Sequence, residues 1–277
     1  MLDSQDTQSN QVNLNSFQEL QWEAFCTAVQ FLTRVPIPGG AMAGGMERYQ
    51  SALARSVIYF PLVGGLVCLS TVVVLSLFRG SIPLEIAVVV ALAIEAMVTG
   101  AFHEDALADT CDALGGGWTR EQVLEILKDS RLGTYGTLGL GLGVACRFFC
   151  ILSLFDSHSY WYGAICLVAS GAIGRWSILW LMHTIQPIED RHTQARDIAG
   201  QQTWKAIGWS ALIAMPLVLP WIVTDFVGVV VGLVLSAMAL YAYRWQIFRR
   251  VGGSTGDMLG CGCYFIQLVI LIVAASR

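Results

Sequence analysis

The chain has 277 residues, 55% of them hydrophobic and 13% charged, against roughly 25% charged residues in an ordinary soluble domain. That balance excludes a water-soluble globular fold, and several apolar runs reach the roughly 20 residues a helix needs to cross the hydrocarbon core. A net charge of −4 offers no basic footprint for a nucleic-acid partner. The expected fold class is an all-α integral membrane protein, a polytopic bundle of transmembrane helices.

Residues 1–22 are polar, with no basic stretch leading into an apolar run and no small-residue cleavage site, so they read as a polar tail and not as a signal peptide. Residues 23–277 read as one membrane domain. Within 17–32, Phe25, Ala28, Val29 and Leu32 recur at helical spacing. They predict a helix either lying on the membrane surface or packed on the bundle.

Apolar runs separated by polar interruptions predict seven spans, near 57–78, 84–103, 135–155, 160–182, 206–224, 226–243 and 259–275. The Lys and Arg residues in the segments between them number three, one, three, none, three, none and three, with Arg277 alone at the end. Because basic residues concentrate in cytoplasmic loops, the amino terminus and the three longer loops are expected in the cytoplasm. Arg147 and Arg175 fall inside spans. An arginine at membrane depth is costly, so each is expected to face a polar cavity or an acidic partner, or to snorkel to an interface. The eight cysteines show no zinc spacing and read as small apolar packers.

The second span is followed by His103-Glu104-Asp105-Ala106-Leu107-Ala108-Asp109-Thr110-Cys111-Asp112. Asp105, Asp109 and Asp112 stand at i, i+4 and i+7, which on a helix stacks three carboxylates along one face. A divalent cation such as Mg²⁺ or Mn²⁺ would relieve their repulsion, and a solvated acidic helix is the alternative. Further on, Thr119 is a candidate N-cap for a helix over 120–129, with Val123, Leu124 and Leu127 as its apolar stripe. Lys128-Asp129-Ser130-Arg131, followed by Gly133 and Gly136, has the materials of a phosphate site, or of a plain helix end with a basic residue near it. A third polar stretch, Gly252-Gly253-Ser254-Thr255-Gly256-Asp257, opens the last span. There Asp257 could join a metal shell or cap a helix. All three stretches fall on the same predicted membrane face, and together they describe metal-assisted transfer of a phosphate-linked group.

Five stretches in order, Phe31–Pro38, Tyr59–Gly65, Phe102–Thr110, Lys128–Gly136 and Gly252–Gly260, resemble the cobalamin synthase family, adenosylcobinamide-GDP ribazoletransferases. The resemblance runs from about Phe25 to the end. It implies a bacterial inner-membrane enzyme that joins adenosylcobinamide-GDP to α-ribazole, or its 5′-phosphate, and releases GMP, with Mg²⁺ as cofactor and membrane lipid as surroundings. A homo-oligomer is compatible with it. On that basis Glu104, Asp105, Asp109, Asp112, Asp129 and Asp257 are the expected metal ligands. Glu104, Asp105, Asp109, Lys128 and Arg131 are the expected catalytic residues, and Ser130, Gly133, Gly253, Thr255 and Arg175 the expected binding residues. Three features depart from the family pattern: Ala106 stands for Gly, Gln267 for Glu, and Ala195-Arg196-Asp197 for an Ala-Arg-Pro-like stretch. The nearest rival is a CDP-alcohol phosphatidyltransferase, whose Asp-x-x-Asp-Gly-x-x-Ala-Arg element is absent here. A secondary transporter would show internal repeats, and none is visible between the chain halves.

Overall fold

A computed structural model describes residues 18–38, 45–188 and 203–277. The tail before residue 18, and the 195–197 stretch with Arg191 and Arg196, lie outside the described residues. The chain is helical, and among the described residues the only β contact is a parallel bridge between Pro187 and Ser254. In chain order the helices are α1 (18–32), α2 (Met46–Ser56), α3 (Phe60–Phe78), α4 (Leu84–Thr99), α5 (Phe102–Gly116), α6 (Arg120–Ile126), α7 (Thr134–Asp156), α8 (Tyr160–Thr184), α9 (Trp204–Thr224), α10 (Phe226–Val251) and α11 (Gly256–Ala275). A 3₁₀ turn, Val57–Tyr59, joins α2 to α3.

Among the described residues six helices are long and apolar enough to cross a membrane, and a seventh crossing exists only if α4 and α5 count as one broken span, bent by 88°. The run predicted as one span over 84–103 is thus interrupted. Gly100 (φ 68°) and Ala101 (φ 57°) are both left-handed, which ends α4 at Thr99 and restarts the helix at Phe102 in a new direction. Ala101 is the only non-glycine with positive φ among the described residues. An L-residue pays roughly 1–2 kcal/mol for that conformation, so the bend must be held by contacts elsewhere.

α8 is the central helix, packed on α3, α9 and α11 and buried along most of its length from Gly163 to Met182. Small residues let helices approach without a hydrophobic driving force in lipid. At the α3–α8 contact, a β-carbon on Gly171 would strike the Gly64 carbonyl. α1 packs on the bundle: Ala28, Val29 and Leu32 are buried, Phe31 stacks on Phe60, and Glu23 pairs with Arg48 and Arg55. All eight cysteines are free thiols, six of them buried.

Contacts between the described loops gather at two ends of the bundle. At one end Arg120 Nε donates to the Val251 carbonyl (2.9 Å), Arg250 bonds the Gly117 carbonyl, and Ser254 N–H donates to Gln186 O (2.9 Å). This end holds all three polar stretches. At the other, Tyr162 and Arg277 meet on Asp225, and Arg79 lies over the Tyr160 ring.

Candidate active site on the acidic helix

The acidic stretch folds as α5, packed against α7 and α11, and its three aspartates keep the i, i+4, i+7 spacing of one face. Asp105 is exposed, Asp109 half-buried and Asp112 buried. Asp112 is buried because it meets the first turn of α7. Gly133 N–H donates to its Oδ2 (2.7 Å) and Gly136 N–H to its Oδ1 (2.8 Å). These amides are among the donors a helix start leaves unsatisfied, and a negative charge is favoured there. A side chain at Gly133 or Gly136 would collide with the same carboxylate. The Gly133 amide, expected to bind phosphate, is therefore occupied by Asp112, and Asp112 joins α5 to α7. Exchanging it for Asn puts an amide N–H₂ against one of two converging N–H groups. The Asp112→Asn variant is expected to lose about 2–4 kcal/mol, measurable as a lower melting temperature in detergent.

One turn earlier, at this same end of the bundle and clear of the six spans, the carboxyl of Asp109 is pushed up to about 6. Burial is the largest cause, followed by the charges of Asp105, Asp257 and Asp112. The aspartate in the first turn of α11 thus shares the patch made by α5, and every charge raising Asp109 is a carboxylate. Hard oxygen donors gathered this way suit a divalent cation. Among the described residues no three His, Cys, Asp or Glu side chains converge closely enough to enclose an ion by themselves. Mg²⁺ commonly uses one or two carboxylates, waters and substrate phosphate oxygens. The donor set therefore fits a cation arriving on a diphosphate and does not fit a preformed protein cage.

The second polar stretch is exposed throughout 128–133. α6 ends at Ile126, short of the expected 129, though Thr119 caps it and Gln122 completes the reciprocal capping box. Asp129 accepts from Arg131 N–H (3.1 Å), Nε (2.9 Å) and Nη2 (2.5 Å). Those bonds hold its carboxyl down near 2. Asp129 thereby orients Arg131 and is engaged by it, two residues before the Gly133 amide on Asp112. In the third stretch Thr255 caps α11 through Met258 N–H (3.4 Å), and Gly253 packs closely on Gln186 and Ile188. Both shape the loop that presents Asp257.

Two of the residues predicted from sequence point inward. Arg175 is 3% exposed, donates to Gln267 Oε1 (2.8 Å) and packs against Gly64. Its place is the bundle interior, against the second turn of α3 at Gly64 and the middle of α11 at Gln267. Glu104 faces Arg147 (3.4 Å), and the same arginine pairs with Glu95 at 2.5 Å. Glu95 was not singled out from the sequence. The available signal was a lone carboxylate deep in an apolar run, together with an intramembrane arginine in need of an acidic partner. A cleft of about 740 Å³ between α4 and α7 reaches the site at Glu104 and at Leu132, next to Arg131, and is otherwise mostly apolar.

Residues 24–275 match the family model described as cobalamin-5-phosphate synthase. The chain is similar to the adenosylcobinamide-GDP ribazoletransferase of Leptospira interrogans, 33% identical over 92% of this chain and 93% of the relative. It is likewise similar to those of Rhizobium etli (35%, covering 90% and 95%) and Leptothrix cholodnii (36%, covering 88% and 91%). No solved structure matches it. With nearly the whole bundle and all three polar stretches inside the matched range, this chain belongs to the cobalamin-5-phosphate synthase family.

Proposed function

We propose that the protein transfers the cobinamide-phosphate group of adenosylcobinamide-GDP to α-ribazole or its 5′-phosphate, at the end of the bundle where Asp105, Asp109 and Asp257 gather. The family match over 24–275 carries this reading. The gathered carboxylates, which lack the Gly-x-x-Ala-Arg continuation of a phosphatidyltransferase, favour it over that rival. A ribazole hydroxyl attacks the phosphorus on the cobinamide side of the diphosphate. The new P–O bond forms as the bond to the GMP oxygen breaks, and the hydroxyl proton passes to a carboxylate of the patch. Mg²⁺ brought by the diphosphate and met by one or two of the carboxylates of Asp105, Asp109 and Asp257 would neutralise the diphosphate and polarise the phosphorus under attack. Arg131, held in place by Asp129, and Lys128 stabilise the charge that develops on the departing GMP.

The count of basic residues supports placing this end in the cytoplasm of a bacterium, with the bundle in the inner membrane. The test is purified protein in liposomes given both substrates, with GMP and cobalamin followed together. Release of both in equal amounts supports the reading, and no turnover from folded protein refutes it. Arg131→Lys keeps the charge but loses the planar fork. Because the side chain is exposed, it is expected to leave the melting temperature unchanged and lower kcat about tenfold, with little change in the KM for adenosylcobinamide-GDP.

A further inference from the structure

The α4–α5 bend is the structural feature that aims the acidic helix, and one buried side chain touches both of its arms. Arg147, midway along α7, is 3% exposed. Its Nη2 meets Glu95 Oε1 at 2.5 Å, and its Nη1 meets Glu104 Oε1 at 3.4 Å. Glu95 lies in the last turns of α4 and Glu104 in the first turn of α5. The two carboxylates flank Gly100 and Ala101, the left-handed residues of the bend. Thr71 of α3 donates to the second oxygen of Glu95 (2.5 Å), and the guanidinium lies 5.8 Å from the Tyr264 ring centre. α3, α4, α5, α7 and α11 therefore share one polar contact inside the bundle.

A guanidinium is planar and its nitrogens are fixed relative to one another. Two carboxylates bound to its two ends cannot change their separation independently. We infer that Arg147 is a positioning residue that clamps α4 to α5 across the bend and so fixes where Asp105 and Asp109 stand relative to Asp257. The inference rests on the transferase reading for its kinetic consequence, and on geometry alone for its structural one. Asp105 follows Glu104 directly, so any slip of the first turn of α5 moves the patch with it.

The double variant Glu95→Gln with Arg147→Met tests this, because it removes the two most deeply buried charges together and leaves unpaired only Glu104, whose side chain is 18% exposed. It is expected to melt close to the wild type in detergent, while amides of 102–109 exchange hydrogen at least tenfold faster. Its transferase activity is expected to need at least tenfold more Mg²⁺ for half-maximal rate. Arg147→Lys, which keeps the charge but cannot grip both carboxylates, should show the same exchange and Mg²⁺ shifts in milder form. It also decides the matter if the double variant does not fold. Wild-type exchange in 102–109 and wild-type Mg²⁺ dependence in a folded variant would reduce Arg147 to a neutralising charge and overturn the clamp. Failure of the wild-type protein to turn over would sink the function alone, since the exchange comparison needs no substrate.

Discussion

Asp109→Asn is expected to lower transferase turnover by about 10³-fold while leaving the fold intact. The side chain is half-buried and forms part of the acidic face, and its ionised form is strained by Asp105, Asp257 and Asp112. Replacing it with a neutral isostere removes that repulsion, so stability should hold or rise slightly. What is lost is the hard anionic donor at the centre of the patch, and a metal that polarises a phosphoryl group contributes several kcal/mol to the transition state. Asp105→Asn should cost less, because Asp105 lies at the exposed edge. A folded Asp109→Asn protein that keeps a tenth or more of wild-type turnover would remove the carboxylate patch from the chemistry.

Metal removal is the second large effect. Chelation should abolish turnover and Mg²⁺ should restore it, with an affinity that depends on pH in a definite direction. In the metal-free protein Asp109 titrates near 6, above the ordinary carboxyl value. Its contribution to stability is thus fully present below the unfolded value near 4 and is lost as pH rises through 6. A cation bound to the ionised patch offsets that loss and must compete with the proton for Asp109. Added Mg²⁺ should therefore raise the melting temperature clearly at pH 7.5 and little at pH 5. Equal stabilisation at both values, followed by differential scanning fluorimetry in detergent, would mean that the metal binds elsewhere.

The parts of the site legible in the sequence are those set by neighbours along the chain. The i, i+4, i+7 spacing of Asp105, Asp109 and Asp112 survives because α5 is a regular helix, and Thr119 caps α6 because its partner Gln122 is three residues away. What the sequence hid depends on distant partners or on backbone angles without a side-chain signature. The donors to Asp112 lie 21 and 24 residues further on, so its joining role is invisible from spacing. Glycine is common in transmembrane helices, and Ala101 and Phe102 continue the apolar run past Gly100, so nothing announced that the backbone turns there. Asp129, expected as a metal ligand, is instead engaged by three bonds from Arg131, which depend on the backbone conformation of the loop after α6.

The Glu95–Arg147 pair also bears on how the bundle is built. The partners are separated by 52 residues, so α4 reaches the bilayer with its buried carboxylate well before α7 exists. At that stage Thr71, on the preceding helix, is the one member of the polar contact already in place. Insertion of α4 before α7 therefore carries the cost of a carboxylate in hydrocarbon without its arginine, a few kcal/mol. A chain stopped after α5 should consequently be a poor membrane protein and a good substrate for quality-control proteolysis, although every helix up to that point is already encoded.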